Sequence, residues 1–257
     1  MQKGIDAFPT DLIEALRNAS DVCVLTGSGI SAESGIPTFR DAQTGLWEKF
    51  KPEELATPEA FRQNPRRVWE WYAWRRELVA KAEPNAGHLA LVELERRVRS
   101  FTLITQNVDG LHQRAGNRQV IELHGNITRT KCFEEDVVVN EWPETNEVPP
   151  RCPRCGGWLR PDVVWFGERL PTEAINTAMA ATTACELFLS VGTSALVYPA
   201  ASLPFDAIEQ GATVVEINPD STPLTSRAHH AIHSPAAMVL PALLRVAFPR
   251  AQGPNSA

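Results

Sequence analysis

The sequence contains no long apolar run. No stretch is hydrophobic over enough consecutive residues to cross a lipid bilayer, and the opening residues MQKGIDAFPTDLIEALR lack the apolar stretch of a signal peptide. A basic surplus is also missing: the formal net charge is −6, which argues against a general nucleic-acid binder. We therefore expect a cytoplasmic protein that binds neither membranes nor nucleic acids. We also expect it to be a monomer.

Cysteine is scarce and unevenly distributed. The chain of 257 residues has five cysteines, and three of them lie between Cys132 and Cys155. In a reducing compartment such a cluster favours metal binding over disulfide bonds.

Internal repeats are absent, and what remains is an alternation of short strands with amphipathic helices. Strands are predicted at residues 22–25, 101–105, 120–123, 187–191 and 213–217, and helices at 5–18, 58–81, 88–97, 173–184 and 199–210. This alternation is typical of an α/β protein whose parallel sheet is covered by helices on both faces. Residues 42–85 and 126–161 interrupt the alternation, so we expect them to pack together as a second, smaller domain.

A glycine-rich turn follows the first predicted strand. Gly27 and Gly29 precede Ala32 with the spacing of dinucleotide-binding turns, in which glycines let the backbone approach a pyrophosphate at a helix N-terminus. An ordinary strand-to-helix turn can have the same pattern. A nicotinamide dehydrogenase would place a second strand with a ribose-binding acid about twenty residues later, whereas the next strand here is predicted only at residue 101. We expect any bound dinucleotide to serve a reaction other than hydride transfer.

Several ordered motifs between about residues 20 and 245 resemble one known family. They are GSGISAESGIPTFRD (27–41), TQNVDGLH (105–112), LHG (123–125), WFGE (165–168), GTS (192–194) and IN (217–218). In order and spacing these motifs are similar to those of the sirtuins, which are NAD-dependent protein lysine deacylases. The resemblance implies a Rossmann-like NAD-binding domain formed by residues 1–41, 86–125 and 162–250. A helical insertion (42–85) and a zinc-ribbon-like insertion (126–161) would form the small domain, and 251–257 a flexible tail.

The resemblance implies that NAD is a co-substrate and indicates which residues contact it. Phe39 would shield the ribose C1′ carbon from water and Arg40 would meet phosphate or ribose, in a segment that reaches Trp47 and closes over the cofactor. Asn107 would bind ribose hydroxyls or a water molecule, and Asp109 the nicotinamide amide, although an Asx-turn or helix cap also explains this pattern. The implied cofactor contacts are Gly27, Ser28, Gly29, Ala32, Glu33, Thr38, Phe39, Arg40, Trp47, Gln106, Asn107, Val108, Asp109, Gly192, Thr193, Ser194, Asn218, Pro219, Asp220 and Ala236.

His124 directly follows the strand predicted at 120–123 and is the implied general base, with Asn107 and Asp109 completing the catalytic group. The acyl oxygen would attack C1′, and the imidazole would then deprotonate a ribose hydroxyl that attacks the acyl carbon. Products would be nicotinamide, free lysine and O-acyl-ADP-ribose. Without the resemblance, a lone histidine is more often structural.

Two further patterns concern an acyl-lysine protein substrate. One segment resembles the part of sirtuins that pairs with an extended peptide through its main chain, and consists of Val164, Trp165, Phe166, Gly167 and Glu168. Tyr72 and Arg75, three apart on a predicted helix, match the Tyr-x-x-Arg pair of sirtuins that remove succinyl and malonyl groups. On that match we predict desuccinylation and demalonylation besides deacetylation. The alternative is that Arg75 pairs with Glu70, Glu77 or solvent and that Tyr72 caps an apolar core.

The cysteine cluster departs from the sirtuin pattern, in which two Cys-x-x-Cys pairs usually hold one zinc ion. Cys152 and Cys155 form an intact pair, whereas Cys132 is followed by Glu135 where the fourth thiolate belongs. We predict a structural zinc site formed by Cys132, Cys152 and Cys155 with Glu135 as fourth ligand. A ribbon that folds without metal is the alternative.

Two other functions are compatible with the same motifs. An NAD-dependent mono-ADP-ribosyltransferase would cleave the same bond but use a different acceptor. A non-catalytic module could bind acyl-peptides through the groove and the cysteine ribbon. The intact set of Asn107, Asp109 and His124 favours the deacylase.

Overall fold

The computed structural model describes residues 8–37 and 55–249. The predictions for Thr38, Phe39, Arg40 and Trp47, and that of a tail at 251–257, lie outside these residues. In chain order the elements are α1 (Thr10–Asn18), β1 (Asp21–Thr26), α2 (Gly29–Ala32), α3 (Pro58–Gln63), α4 (Pro65–Lys81), α5 (Ala86–Arg97), β2 (Ser100–Thr105), α6 (Leu111–Ala115), β3 (Val120–Glu122), β4 (Gly125–Cys132), β5 (Leu159–Val163), α7 (Thr172–Ala184), β6 (Leu187–Val191), α8 (Leu203–Glu209), β7 (Thr213–Ile217), β8 (His230–Ile232) and α9 (Ala236–Ala247).

A parallel sheet organises the larger part of the chain. Its strand order is β3-β2-β1-β6-β7-β8, and every neighbouring pair is parallel. The five predicted strands are confirmed to within one residue at each end, and the α/β class is confirmed with them. The sequence analysis does not predict β8 or α9. Because β1 lies between β2 and β6, the chain leaves β1 in one direction and returns on its other side, which creates a crevice at the carboxyl ends of these strands.

Apolar side chains of β1 enter both faces of the sheet, as expected for a central parallel strand. Val24 packs on the face that α1, α5 and α9 cover, with Leu91 of α5 and Val239 of α9 fully buried there. Leu25 packs on the opposite face, where Leu203 of α8 is also fully buried. Burying one such side chain contributes about 1.5–3 kcal/mol to folding, so the sheet forms a rigid base for the loops at its carboxyl edge.

The helical region predicted at 58–81 is confirmed as two helices that meet at Asn64. The Thr57 hydroxyl caps α3 by accepting a hydrogen bond from the N–H of Ala60, and the Asn64 side chain caps α4 through the N–H of Arg67. At 17 residues α4 is the longest helix in the described ranges, and none of those helices is long and apolar enough to span a membrane.

β4 and β5 form a separate antiparallel sheet whose register shifts between Asn126 and Thr130. The guanidinium of Arg76, on α4, donates hydrogen bonds to the carbonyls of Ile127 at 2.6 Å and Arg129 at 2.8 Å. The helical insertion and the cysteine-containing insertion are therefore in direct contact. The exact domain boundaries stay a prediction.

Candidate active site

Gly27 and Gly29 are required because the loop after β1 passes very close to the loop after β6 at the carboxyl edge of the sheet. A Cβ atom on Gly27 would lie 2.7 Å from the carbonyl oxygen of Gly192, and one on Gly29 would lie 2.7 Å from the Gly192 Cα. The N–H of Gly29 also donates to the Gly192 carbonyl at 2.8 Å. Side chains would separate the turn after β1 from the loop after β6, so the glycines bring these two loops together.

The turn differs from the prediction in one respect. The helix that follows it, α2, has only four residues, so its contribution to an N-terminal dipole is small. The N–H groups of Gly27 and Gly29 are already bonded to the carbonyls of Val191 and Gly192. An anion at this turn would therefore be bound mainly by the other loops at the carboxyl edge.

Asn107 and Asp109 lie beyond the end of β2, and the structure brings both against Ser31 of α2. The Asn107 amide nitrogen donates to the Gly27 carbonyl at 3.0 Å and to the Ser31 hydroxyl at 3.2 Å. The Ser31 hydroxyl in turn donates to Asp109 Oδ2 at 2.8 Å, and the N–H of Leu111 donates to Oδ1 at 2.9 Å. Burial raises the pKa of Asp109, and these two donors oppose the shift. The Asn-x-Asp pattern thus combines an Asx-type bond to Leu111 with a buried polar network.

Ser31, His88 and His112 belong to this network, although the sequence analysis does not assign them to the site. His88 lies in the first turn of α5, where its Nδ1 accepts the N–H of Asn85 at 3.3 Å, and its Nε2 lies 3.5 Å from the Ser31 hydroxyl. His112 Nε2 is 2.9 Å from the Thr26 hydroxyl. Burial lowers the pKa of His88 to about 4 and that of His112 to about 3, so both imidazoles are neutral at pH 7. Ser31 and His112 lie inside quoted motifs, whereas no local pattern marks His88.

His124 follows β3 and faces the loop that leaves β2. Its Nδ1 lies 2.9 Å from the main-chain oxygen of Gln106. Because a carbonyl only accepts hydrogen bonds, Nδ1 carries the proton and Nε2 is the basic nitrogen. Burial lowers the pKa of His124, and the bond to Gln106 opposes that shift. At neutral pH the imidazole is unprotonated and ready to accept a proton.

Side chains at the ends of β2, β6 and β7 are linked across the crevice. The Gln106 amide donates to the Thr193 hydroxyl at 2.9 Å, and the Asn218 amide donates to the Thr193 carbonyl at 2.8 Å. Pro219 and Asp220 are exposed beside Asn218. The structure therefore brings the predicted contacts of three separate motifs to one edge of the sheet.

Glu33 has a structural role besides the predicted one. Its carboxylate accepts the N–H of Ala237 at 3.0 Å, at the start of α9. Ala236, the first residue of that helix, is buried. A carboxylate at a helix N-terminus is stabilising, so Glu33 fixes α9 against the segment after α2.

Tyr72 and Arg75 lie on α4, which packs beside the same crevice. Tyr72 is 1% exposed, and its hydroxyl accepts the indole N–H of Trp165 at 2.9 Å. The Arg75 guanidinium lies over the Trp71 ring, with its Cζ 5.0 Å from the ring centroid. Burial lowers the pKa of Arg75, and the charge of Asp109 raises it. The two predicted acyl-binding side chains are thus adjacent to each other and within electrostatic range of Asp109.

The predicted peptide-binding segment makes internal bonds with part of its main chain. The N–H of Val164 donates to the His124 carbonyl and that of Phe166 to the Ala56 carbonyl, each at 2.9 Å. The Glu168 carboxylate accepts the N–H of Trp165 at 2.7 Å. A peptide can pair only with the main-chain groups that these bonds leave. Phe166 is 43% exposed, so part of the segment faces solvent.

The cysteine cluster lies at the end of β4 and in the chain that leads from β4 to β5. Its ligand atoms, from Cys132, Glu135, Cys152 and Cys155, all lie within 4.8 Å of one another. Three sulfur atoms and one carboxylate oxygen are donors that tetrahedral zinc accepts, so the residues fit that metal. Arg154 Nε lies 3.0 Å from Glu135 Oε2 and competes for the carboxylate. Bound zinc would cross-link the insertion.

Known proteins resemble this chain over almost its whole length. A model described as the Sir2 family matches residues 27–199. A relative from Aquifex aeolicus (strain VF5), named NAD-dependent protein deacylase, is 58% identical over 212 residues, which cover 81% of this chain and 87% of the relative. The solved structure of a Sir2 homologue in complex with NAD is 43% identical, with a TM-score of 0.86 over 96% of both chains.

A second solved structure resembles the chain to the same degree. It is a triple mutant of a Sir2 homologue in complex with 2′-O-acetyl-ADP-ribose, 45% identical, with a TM-score of 0.86 over 93% of this chain and 96% of that one. The sirtuin motifs of the sequence, the observed fold and these matches agree, and the chain belongs to the Sir2 family.

Proposed function

We propose that the protein is an NAD-dependent protein-lysine deacylase that removes acetyl groups and, in addition, the acidic succinyl and malonyl groups. The observation that carries the proposal is the convergence of Asn107, Asp109 and His124 at one crevice, with His124 held as a neutral base. The named activity of the Aquifex relative and the two ligand complexes of Sir2 homologues support it.

The crevice suits the binding of NAD as co-substrate. The loops after β1 and β6 approach so closely that a Cβ at Gly27 or Gly29 would clash, so glycine keeps together the two loops that we expect to contact the nucleotide. Bound NAD supplies the ribose carbon that accepts the acyl oxygen. Asp109 is positioned by Ser31 and Leu111 to accept an amide N–H, and the buried surroundings of Asn107 exclude water.

His124 has the properties of the general base. The proton lies on Nδ1, which donates it to the Gln106 carbonyl, so Nε2 is unprotonated. Burial lowers the pKa of the His124 imidazole. It accepts the proton of a ribose hydroxyl as that oxygen attacks the acyl carbon. General bases of this kind contribute about 10²–10⁴-fold in rate.

The preference for acidic acyl groups rests on Tyr72 and Arg75. A carboxylate at the end of an acyl chain can bind a guanidinium bidentately and also accept a phenolic O–H. Tyr72 is buried and Arg75 is half-buried, so such bonds are stronger here than at an exposed surface. A lysine that carries a carboxylate-bearing acyl group is thus the complementary ligand.

The direct experiment is incubation of the protein with NAD and matched acetyl-, succinyl- and malonyl-lysine peptides, followed by mass spectrometry. We expect nicotinamide, the free-lysine peptide and the corresponding O-acyl-ADP-ribose in equal amounts. An ADP-ribosylated peptide would instead indicate a transferase, and no consumption of NAD would indicate a binding module.

A further inference from the structure

We infer that the indole N–H of Trp165 directs the hydroxyl hydrogen of Tyr72 into the acyl pocket. Arg160 and Glu168 hold the indole in place, so Trp165, Arg160 and Glu168 are positioning residues for acidic acyl groups. The inference rests on the proposed acyl specificity and extends it to the residues that hold the hydrogen-bond partner of Tyr72.

The direction of the Tyr72 hydroxyl follows from the chemistry of its partner. An indole N–H only donates, whereas a phenol has one hydrogen to donate and lone pairs to accept. Since Trp165 Nε1 lies 2.9 Å from the Tyr72 oxygen, that oxygen is the acceptor. In residues 8–37 and 55–249 the hydroxyl makes no second hydrogen bond. None of the described residues therefore accepts its hydrogen, which we expect the carboxylate of a ligand to accept.

Trp165 is fixed from its other side. The Arg160 guanidinium stacks on the indole, with its Cζ 3.2 Å from the ring centroid. Both nitrogens at the end of Arg160 bind the Glu168 carboxylate, and Nη2 also donates to the Val163 carbonyl at 2.7 Å. Glu168 additionally accepts the N–H of Trp165. This clamp allows the indole one orientation, and the Trp165 side chain is 2% exposed.

The clamp acts through the phenol, because its only hydrogen bond to Tyr72 among the described side chains comes from the Trp165 indole. Arg75 is three residues along the same helix, and its Cζ is 5.9 Å from the Tyr72 ring centroid. Guanidinium and phenol can thus reach one carboxylate together. An acetyl group has no carboxylate to use the phenolic hydrogen. Loss of the indole N–H should therefore weaken binding of a succinyl group selectively.

A double-mutant cycle tests the inference, with kcat/KM measured on matched succinyl- and acetyl-lysine peptides. Trp165→Phe keeps an aromatic ring for Arg160 but removes the N–H. We expect kcat/KM for the succinyl peptide to fall about tenfold further than kcat/KM for the acetyl peptide, whatever loss the two peptides share. In the Tyr72→Phe background, Trp165→Phe should have no further selective effect. Trp158→Phe is the matched control, because Trp158 also stacks under an arginine, with the Arg151 Cζ at 3.2 Å.

A second readout follows the hydroxyl itself. The chain has only two tyrosines, so 3-fluorotyrosine labelling gives two ¹⁹F signals, and Tyr198→Phe assigns the one from Tyr72. Burial raises the pKa of Tyr72 and the Trp165 bond opposes that rise, so Trp165→Phe should shift this signal and raise further the pKa at which it titrates. Trp158→Phe should leave both unchanged.

The outcomes separate this inference from the function on which it rests. Three outcomes would overturn the role of Trp165 and leave the proposed desuccinylation intact. They are equal losses of kcat/KM for both peptides, a selective loss that persists in the Tyr72→Phe background, and an unchanged ¹⁹F signal. A wild-type protein that cleaves acetyl but not succinyl peptides would overturn the acyl specificity and the positioning role together.

Discussion

The Nδ1 atom of His124 lies 2.9 Å from the main-chain oxygen of Gln106, and this bond determines which nitrogen of the ring is basic. Because burial lowers the pKa of His124, deacylation should keep its full rate down to about pH 6.5, the ordinary histidine pKa. It should fall only below that pH, as the base becomes protonated. The measurement is kcat/KM between pH 5 and 8, and a midpoint above pH 7 would contradict the assignment. In His124→Ala, kcat/KM should fall at least about 100-fold. His230→Ala is the control, because His230 lies at the opposite edge of the sheet, and its kcat/KM should not fall in this way.

Arg75 should discriminate between acyl groups. Arg75→Leu removes the group that would bind the acyl carboxylate, so kcat/KM for a succinyl-lysine peptide should fall about 10–100-fold. The acetyl-lysine value should change far less, because an acetyl group carries no charge. Arg66→Leu on the same helix is the control, since Arg66 pairs with Glu70 at the surface. Equal losses for both peptides in Arg75→Leu would reject the acidic-acyl assignment.

His88 and His112 should make the fold sensitive to acid. Burial holds their folded-state pKa values at about 4 and about 3, while both titrate near 6.5 when unfolded. The unfolded chain therefore binds more protons below pH 6.5, and stability falls as the pH drops from about 6.5 towards 4. Each histidine contributes about 1.4 kcal/mol per pH unit in that window. Urea unfolding of wild type and His88→Gln at pH 7, 6 and 5 measures this, and identical slopes for the two proteins would refute it.

The zinc site should respond to its fourth ligand. Glu135→Cys supplies a fourth thiolate and ends the competition from Arg154, so it should bind zinc more tightly than wild type. Cys152→Ser should lose stoichiometric zinc, and a chelator should lower the melting temperature of the wild type. Metal content and competition with a chromophoric chelator provide the measurement. Glu141→Ala, an exposed change in the same insertion, is the control. Zinc affinity that is unchanged in Glu135→Cys would exclude this position from the site.

The sheet could be predicted from the sequence because its strands are short apolar runs with a simple pattern. Leu187–Val191 is buried throughout, and the predicted limits match those observed. β4 lacked such a signal, since the register shift after Asn126 interrupts its alternation. β8 has only three residues, and α9 contains Pro241, which weakens a helical pattern.

The site was only partly predictable. Motifs placed Asn107, Asp109 and His124 at strand ends, and the fold brings those ends together. His88 could not be found, because it reaches Ser31 only after α5 packs beside α2. The sequence pattern predicts that Gly27 and Gly29 form a pyrophosphate-binding turn. It does not predict their close contact with Gly192, because that residue follows β6, which is distant in the sequence. Contacts between remote segments leave no local pattern.

Transfer of oxygen from an acyl-lysine to the ribose is the most direct test of the proposed chemistry. An acetyl-lysine peptide labelled with ¹⁸O at the acyl carbonyl is incubated with NAD and the protein, and the products are analysed by mass spectrometry. We predict that the label appears in O-acetyl-ADP-ribose and that none of this product forms with His124→Ala. Labelled free acetate without O-acetyl-ADP-ribose, or ADP-ribose attached to an intact acetylated peptide, would contradict the proposal.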